Sequence, residues 1–422
     1  MLPVTGLAFL VLVGLGAPIG LVLIALSVIW IVGDPAVMDV AFAQRLVAGT
    51  QSFPLLAVPL FILAGEFMNV SGITRRVMDF AMVVTRPLSG GLAKTNVLLS
   101  TLLAGMSGSA NGDAAMQSKI LVPEMTERGY PAPFSAAVTA SSALIAPLIP
   151  PGIGLILFGF VTDTSIGQLF AGAIVPGIVL SLALLVVVHV LSKRNGWDPP
   201  VERRSAKGIG VAFVGALPAI LMPVLIIVGI RGGVFTPSEA GGVAVAYTAL
   251  FMAIYREASW RDVWRALRNT VVTTSAIILV LAASAAFTWI LTFQRIPQAV
   301  GEALLWATAD PTVMLALIAG ILLVVGMLVE GTALILILGP MFMPVALKLG
   351  IDPVHFGVVF VFMIHLGGIT PPVGTVMFTT CAITGVRILA FSRAVVPFIA
   401  TFLAVAAILI LVPPLSTLLA RL

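Results

Sequence analysis

The stretch PVHFGVVFVFMIHLGGITPPVGTVMFTTCAITGV, residues 353–386, decides the fold class because it is too long and too apolar to be one straight helix. It contains 34 residues and no Asp, Glu, Lys or Arg. A continuous helix of that length would rise about 51 Å, whereas the hydrocarbon core of a bilayer is about 30 Å thick. Two adjacent prolines, Pro371 and Pro372, remove two N–H donors and predict a break near the middle of the stretch.

A second stretch of the same kind occupies residues 129–162. It also has 34 residues, no charged side chain and a central proline pair, Pro150 and Pro151. The two pairs lie 221 positions apart, and the same offset, without gaps, relates Gly105 to Gly326, Pro123 to Pro344, Gly129 to Gly350 and Pro176 to Pro397. Because proline and glycine set the shape of the backbone, these matches predict an internal repeat.

Composition places the whole chain in a membrane. Hydrophobic residues make up 60% of the 422 residues and charged residues only 9%, which excludes a soluble globular protein, a nucleic-acid binder and a disordered chain. Together with further charge-free runs, the two stretches predict about ten to twelve membrane elements. These further runs are residues 2–33, 46–65, 164–192, 208–230, 240–255, 269–294, 311–329, 331–347 and 394–420. The predicted fold class is therefore an all-α membrane protein, with a single transmembrane domain over residues 1–422.

Basic residues concentrate in two loops, residues 193–207 and 256–268, which two spans separate. Cytoplasmic loops carry an excess of Lys and Arg, so both loops are expected in the cytoplasm. The turn at residues 231–239 is then expected on the outer side. The formal net charge of +5 is interpreted as loop charge of this kind rather than as a nucleic-acid patch.

The number of crossings between the two proline pairs predicts how the two halves are related. Five full crossings are expected, including residues 311–329, provided that residues 331–350 enter and leave by one face with a turn at Gly339–Pro340. An odd number inverts the second half relative to the first. We therefore predict two inverted repeats, at approximately residues 46–192 and 269–420, with re-entrant hairpins and Pro-Pro broken helices. This architecture is typical of secondary transporters.

Both breaks are accompanied by small and hydroxyl-bearing residues. The segment MSGSANGD, residues 106–113, belongs to the first half, and GMLVEGT, residues 326–332, belongs to the second. Carbonyls at an unwound helix end coordinate hard cations, and helix N-termini attract anions. Each half is therefore expected to hold one cation. The alternative that remains open is that these residues only pack or cap helices.

Four polar residues near the breaks are candidates for substrate binding: Asn111, Asp113, Glu330 and Thr375. A carboxylate at the bilayer centre costs about 2.5–3.5 kcal/mol, so it usually faces a cavity or has a functional partner. The alternative for both carboxylates is a position at the membrane interface. His365, just before the second break, could donate to a substrate, but a buried, hydrogen-bonded histidine is the favoured interpretation.

An intramembrane hydrolase is an alternative from another functional class. Gly105-Met-Ser-Gly108 has the G-x-S-G form found around intramembrane serine nucleophiles, but the pattern is short and its only plausible base is His365. The sequence contains no nucleotide-phosphate loop and no metal-ligand cluster. Energy for transport is therefore expected from an ion gradient or from a partner chain.

Residues 232–240, GGVFTPSEA, resemble the G-(I/V)-F-T-P-(T/S)-E-A turn of one transporter family. This is the large membrane (M) subunit of tripartite ATP-independent periplasmic (TRAP) transporters, the DctM-like family. Ser-Gly-Ser at residues 107–109, together with the first proline pair, is similar to a second sequence motif of the family. The segment from Pro340 to Pro344, followed by GGITPPVG at residues 367–374, is similar to another. The resemblance covers essentially the whole chain.

The resemblance implies an elevator-type, sodium-driven importer of organic acids in a bacterial inner membrane, and not an enzyme. It also implies two partners, a small four-helix membrane (Q) subunit and a periplasmic substrate-binding protein (P subunit). Because no Q-like segment precedes Met1, the Q subunit is expected as a separate chain. The alternative within transport is a stand-alone ion-coupled carboxylate carrier.

In the family, each re-entrant hairpin and the Pro-Pro break that faces it hold one sodium ion, largely through carbonyls. The resemblance therefore implies Na⁺ as the coupling ion and no further cofactor. Carried over to this sequence, the first sodium site would use Ser107, Ser109, Ala146, Ile149 and Pro151. The second sodium site would use Gly326, Gly367, Thr370 and Val373.

Overall fold

A computed structural model of the protein describes residues 2–34, 39–198 and 206–421, and these ranges are helical with no strand. The helices are α1 (Leu2–Gly14), α2 (Ile19–Gly33), α3 (Asp39–Ala48), α4 (Ala57–Val70), α5 (Ile73–Thr85), α6 (Gly91–Ser107), α7 (Ala110–Glu127), α8 (Ala132–Ala143), α9 (Ile153–Val161), α10 (Ile166–Asn195), α11 (Ala206–Arg231), α12 (Pro237–Tyr255), α13 (Trp260–Phe293), α14 (Ile296–Ala307), α15 (Pro311–Gly326), α16 (Gly331–Lys348), α17 (Pro353–Gly367), α18 (Thr375–Thr384), α19 (Ile388–Ala394), α20 (Val396–Leu411) and α21 (Pro414–Arg421). A short 3-10 helix, Phe53–Leu56, precedes α4. The predicted all-α class is confirmed.

Apolar helices of membrane-spanning length account for much of the chain. Five helices, α10 to α13 and α16, are long and apolar enough to cross a membrane. The count rises to eight if each of three bent pairs, α4–α5, α18–α19 and α20–α21, is one span. Four further apolar helices, α1, α2, α15 and α17, are shorter. By length and composition the described residues thus contain five to eight spans, and the four shorter apolar helices are the further candidates for the predicted ten to twelve membrane elements.

The helices pack as two groups. We call α2, α4, α5, α11, α12 and α13 the scaffold group, since α12 packs on α4, α11 on α5 and α13 on both α2 and α4. We call α6 to α10 and α15 to α21 the hairpin group, which is held together by contacts such as α7 with α8, α15 with α17, α10 with α21 and α9 with α16. Contacts between the groups run mainly through α6, which touches α4, α5 and α11, and through α13 against α16.

Two helical hairpins dominate the second group. Hairpin 1 consists of α6 and α7, with its tip at residues 108–109, and hairpin 2 consists of α15 and α16, with its tip at residues 327–330. The bounds of α7 and α16 lie 221 positions apart at both ends, and so do the first residues of α8 and α17. The helix boundaries therefore follow the offset found in the sequence.

The base of hairpin 1 lies at the C-terminal end of α10. Asp198, which follows α10, accepts hydrogen bonds from the backbone N–H of Leu92 at 2.8 Å and from the Tyr130 hydroxyl at 3.3 Å. Leu92 is at the start of α6 and Tyr130 follows α7, so both arms of the hairpin are held at this end. Arg128 adds an ion pair with Asp198 at 3.6 Å.

The base of hairpin 2 is held at the other end of α10. Asp352, between α16 and α17, pairs with Arg421 of α21 at 3.0 Å. Helix α21 in turn packs on the first part of α10, where a Cβ built on Gly172 would lie 2.5 Å from the Ser416 carbonyl oxygen. The two hairpins therefore extend from opposite ends of the same helix. This arrangement agrees with the predicted inversion, although the inverted repeat itself stays a prediction.

Two sequence-based assignments in the second half are wrong. The expected turn at Gly339–Pro340 does not occur, because α16 continues through both Pro340 and Pro344. A proline inside a membrane helix is tolerated when neighbouring helices enclose the affected backbone, and α16 packs against α9, α13 and α17. The turn lies instead before Glu330, whose carboxylate caps α16 by accepting from the Ala333 N–H at 3.3 Å. Residues 311–329 are consequently the first arm of hairpin 2 and not a full crossing, so the count of five crossings that predicted the inversion is wrong, and the inversion is supported instead by the opposite positions of the two hairpin bases.

Candidate functional site

A cavity of about 590 Å³ lies between the two helix groups. The tips of both hairpins and the first residues of α9 and α18 form one wall, while α2, α4 and α13 form the other. All four substrate-binding candidates line it: Asn111, Asp113, Glu330 and Thr375. No cluster of three or more His, Cys, Asp or Glu side chains suited to a metal ion occurs in the parts of the chain described above.

The tip of hairpin 1 touches the first break directly. Gly108 adopts φ +56°, and a Cβ built on it would lie 2.6 Å from the carbonyl oxygen of Pro151. Only glycine allows the backbone to come this close without displacing the break. Ser109 caps α7 and accepts from the Gly112 N–H at 3.3 Å. The structure thus brings Ser109 and Pro151 of the predicted first sodium site to the same contact.

The first break is buried and rich in available carbonyls. Ala146 is fully buried, and no described backbone N–H donates to the carbonyls of Ala146, Ile149 or Pro151. Buried carbonyls require a partner, so these three oxygens are suitable ligands for a cation. The side chain of Ser107 lies outside the described part of the chain, and its predicted role stays a prediction.

The second break makes an equally close contact with hairpin 2. A Cβ built on Gly367 would lie 2.2 Å from the carbonyl carbon and 2.6 Å from the carbonyl oxygen of Gly326. The backbone N–H of Gly374 donates to the Met327 carbonyl at 2.9 Å, which fixes the tip to the far side of the break. Two predicted ligands of the second sodium site, Gly326 and Gly367, are therefore direct neighbours.

The remaining ligands predicted for the second site, Thr370 and Val373, lie on the proline segment itself. No described backbone N–H donates to their carbonyls. The Thr370 hydroxyl donates to the Leu366 carbonyl at 2.8 Å, so its proton is used within its own helix while its oxygen can still accept. Val373 is 37% exposed, in contrast to the buried proline pair of the first break.

The two breaks differ because α11 covers only the first. A Cβ built on Gly105, near the tip of hairpin 1, would lie 2.1 Å from Cγ of Pro223 in α11 and 3.2 Å from the Pro150 carbonyl oxygen. Helix α11 therefore presses hairpin 1 onto the first break. Hairpin 2 contacts the scaffold group through α13 on α16, and its break is more exposed, at Pro372 and Val373.

The two hairpin tips also differ in charge. Helix α7 is capped by the neutral hydroxyl of Ser109, whereas α16 is capped by the carboxylate of Glu330, which also accepts from the Thr332 hydroxyl at 2.8 Å. Asp113 lies in the first turn of α7 and is only 3% exposed. Both carboxylates that were singled out in the sequence thus lie at the hairpin tips and border the cavity.

Several lining residues were not chosen from the sequence: Glu66, Asn69, Thr273, Thr332 and His365. Glu66 accepts from the Asn269 side chain at 3.3 Å, which joins α4 to α13. It directly follows the charge-free run 46–65, so a carboxylate at the end of an apolar span was the available signal. The polar residues of α13 had no comparable signal in the sequence. Packing decides which side of a long apolar helix faces a cavity.

His365 is both a packing residue and a lining residue. Its Nδ1 donates to the Val361 carbonyl at 2.7 Å, as the interpretation of a hydrogen-bonded histidine requires. The ring also borders the cavity, where a Cβ built on Gly331 would lie 3.5 Å from Nε2. The hydrogen bond and the position at the cavity are thus both present, and a contact of His365 with substrate stays a prediction.

Comparisons with known proteins identify the family of the chain. The family model of the DctM component of tripartite ATP-independent periplasmic transporters matches residues 7–415. The 2,3-diketo-L-gulonate TRAP transporter large permease protein YiaN of Escherichia coli (strain K12) is 36% identical over 419 residues, covering 96% of this chain and 97% of that protein. The sialic acid TRAP transporter large permease protein SiaM of Vibrio cholerae is 34% identical over 412 residues, covering 96% and 95%.

The fold also resembles that of a solved transporter. The YdaH transporter of Alcanivorax borkumensis superimposes with a TM-score of 0.61 at 16% identity, covering 86% of both chains. This likeness concerns the fold alone. The family match over nearly the full length, and relatives above 30% identity, concern the sequence itself. The chain belongs to the DctM component family of tripartite ATP-independent periplasmic transporters.

Proposed function

We propose that this multi-pass TRAP large permease subunit uses a sodium gradient to import an organic acid that a periplasmic binding protein delivers. Its family consists of transporter permeases, so the chain is not an enzyme and the intramembrane hydrolase alternative is wrong. One observation carries the sodium proposal. The tip of each hairpin meets a Pro-Pro break at which carbonyls accept from no described backbone N–H: those of Ala146, Ile149 and Pro151 at the first break, and those of Thr370 and Val373 at the second.

Sodium suits these two contacts because it is a hard cation that binds oxygen. The first site would use the carbonyls of Ala146, Ile149 and Pro151 below the tip of hairpin 1, with Ser107 and Ser109 from the tip. The second would use Gly326, Gly367, Thr370 and Val373. A bound ion would stabilise each tip against its break and would give a partner to the carbonyls that accept from no described backbone N–H, whereas the Gly367 carbonyl already accepts from the Thr370 N–H at 3.0 Å.

The substrate would occupy the cavity between the tips and the scaffold group. Asn111, Asp113, Glu330 and Thr375 all border it, so these residues are proposed to contact substrate. Relatives are named for sialic acid, 2,3-diketo-L-gulonate and C4-dicarboxylates, which are all organic acids. We propose an organic acid for this chain on the basis of that likeness.

An elevator movement is proposed for the step that carries substrate across. The substrate cavity lies between two separately packed helix groups, and the two hairpins extend from opposite ends of α10. Movement of the hairpin group against the scaffold group would expose the cavity to one side and then the other, as in transporters built from inverted repeats.

The proposed partners are a small four-helix Q subunit and a periplasmic binding protein. Their support is the family itself, whose description is tripartite and whose relatives are called large permease proteins. The test is uptake of candidate radiolabelled organic acids into liposomes that contain this chain and its Q subunit. Uptake should require both an inward sodium gradient and added binding protein, and it should fall to background without either. Uptake without binding protein would favour the stand-alone carrier, and uptake unchanged in sodium-free medium would refute the coupling.

Replacing Thr370 with valine should raise the sodium concentration for half-maximal uptake by about tenfold, since a lost oxygen ligand is worth roughly one strong hydrogen bond. The substitution keeps the shape of the side chain and removes only the hydroxyl. The measurement is uptake rate against sodium concentration.

Thr384→Val is the matched control for this substitution. The Thr384 hydroxyl also donates to a carbonyl one turn earlier, that of Thr380 at 2.7 Å, but it lies at the far end of α18. An unchanged sodium requirement in Thr370→Val would mean that the hydroxyl only bonds within its helix and is not a ligand.

A further inference from the structure

The charge of the cavity is unusual for a site that receives an organic acid. Three carboxylates border it, those of Glu66, Asp113 and Glu330, and none of its described lining residues is Lys or Arg. A substrate carboxylate therefore has no cationic side chain to pair with there. The groups that can stabilise the substrate carboxylate are then bound sodium ions and backbone N–H groups. The rest of the substrate faces hydrogen-bond acceptors and must be able to donate to them.

Hairpin 1 and α9 form the end of the cavity that offers donors. Helix α7 has a neutral cap, and Asn111 presents a side-chain amide beside it. Helix α9 begins at Ile153 after Gly152, which provides no side-chain cap, and both Ile153 and Gly154 line the cavity. The carboxylate on hairpin 1 belongs to Asp113, which is only 3% exposed, whereas Glu330 on hairpin 2 is partly exposed; Glu66 is on the opposite wall with Asn269.

Hairpin 2 forms the opposite end, and this end offers acceptors. The carboxylate of Glu330 caps the N-terminus of α16 and accepts from the Ala333 N–H, so a negative charge already lies at this helix end. A substrate carboxylate placed at this tip would lie next to Glu330 and be repelled by it. The tips are therefore not interchangeable, although the helices that form them correspond in the repeat.

His365 adds a second acceptor at the hairpin 2 end. Because its Nδ1 bonds to the Val361 carbonyl, which can only accept, the proton of the neutral ring is on Nδ1. Nε2 is then a lone-pair acceptor, and it has no hydrogen-bond partner among the described residues. It lies beside Gly331 at the tip of hairpin 2 and borders the cavity.

We propose that the site selects a carboxylate that carries a hydrogen-bond donor, a hydroxyl or an ammonium group, at its far end. The carboxylate lies at the hairpin 1 end, and the donor group lies at Glu330 and His365, with His365 as a specificity-determining residue. This inference rests on the proposed function because it names the substrate class of the same cavity. Symmetric dicarboxylates are disfavoured because Glu330 repels their second carboxylate. Acids without a donor are disfavoured because they leave His365 Nε2 without a hydrogen bond.

Four acids with the same carbon chain separate the possibilities: hexanoate, adipate, ω-hydroxyhexanoate and ω-aminohexanoate. They share one carboxylate and differ only in the group at the other end. Binding of each to the purified complex of this chain with its Q subunit, in saturating sodium, is measured from the shift of the thermal unfolding midpoint with ligand concentration. At least one donor-bearing acid should bind about tenfold more tightly than hexanoate and adipate. The comparison of the two donor-bearing acids decides between hydroxyl and ammonium.

Two substitutions of His365 test its part in the preference. Asparagine keeps a donor at the position of Nδ1 and removes the Nε2 acceptor, so His365→Asn should abolish the preference without preventing folding. Glutamine places an amide oxygen near the position of Nε2, so His365→Gln should retain most of the preference for donor-bearing acids. Any one of four results would overturn the proposal: equal binding of the four acids, tighter binding of adipate, no binding of any of them, or a preference that is unchanged in His365→Asn.

This binding assay involves neither transport nor the binding protein. Sodium-dependent uptake that fails in liposomes would therefore count against the proposed function. The absence of a donor preference, in a complex whose uptake is sodium-dependent, would count against the selection of substrate alone.

Discussion

Replacing Gly367 with alanine is expected to lower uptake about ten- to hundredfold, because overpacking at a rigid contact costs about 1–3 kcal/mol and each 1.4 kcal/mol is tenfold. A Cβ at this position would lie 2.2 Å from the carbonyl carbon and 2.6 Å from the Cα of Gly326. Both neighbours are backbone atoms, so no side-chain rotation relieves the clash. The tip of hairpin 2 must move away from the break, and the proposed second sodium site is opened.

Gly320→Ala is the matched control. Gly320 belongs to α15, the arm of hairpin 2 that ends at Gly326, and a Cβ built on it meets no heavy atom within 4 Å. This variant should transport like the wild type, and both variants should insert into the membrane in equal amounts. Wild-type uptake by Gly367→Ala, at equal expression, would show that contact between hairpin 2 and the break is not required.

A disulfide between Gly105→Cys and Pro223→Cys is expected to reduce uptake to background, and a reductant should restore it. The two residues belong to the hairpin group and the scaffold group, and a Cβ built on Gly105 lies 3.1 Å from Cβ of Pro223. Disulfides need Cβ atoms roughly 3.5–4.5 Å apart, so a small adjustment allows the bond. If the groups move against each other during transport, a covalent link between them must stop it. The native Cys381 is buried, with only 6% of its surface exposed.

A second cysteine pair controls for oxidation and for the bond itself. Leu60 and Gly241 lie on α4 and α12 within the scaffold group, where a Cβ built on Gly241 is 2.8 Å from Cβ of Leu60. Oxidation of this pair should leave uptake unchanged, as should oxidation of either single variant of the first pair. Full activity of the cross-linked pair at Gly105 and Pro223 would exclude a movement of hairpin 1 past α11.

The sequence predicts most of the architecture because the relevant residues act locally. Proline pairs and glycines set the backbone wherever they occur, so the two breaks and the offset of 221 positions were predictable, and the helix bounds follow that offset. The same local reasoning failed at Pro340, because a single proline does not end a helix that is enclosed by neighbours. Packing, and not composition, places the turn of hairpin 2 before Glu330.

The site was predictable only in part for a related physical reason. Asn111, Asp113, Glu330 and Thr375 are close in sequence to the breaks, and the breaks bring them to one cavity. The opposite wall comes from α4 and α13, which are far away in sequence, so Glu66 and Thr273 could be found only once the helices were packed. The different exposure of the two breaks likewise depends on α11, which covers one of them.

Direct observation of bound ions tests the two proposed sodium sites. The measurement is a pair of high-resolution cryo-electron microscopy maps of the complex of this chain with its Q subunit, one in sodium and one in choline. We expect two density peaks in sodium that are absent in choline. One should lie among the carbonyls of Ala146, Ile149 and Pro151, and the other among those of Gly326, Thr370 and Val373. Maps that are identical at both breaks in the two salts, or a sodium-dependent peak located only at the carboxylates of the cavity, would contradict the proposed sites.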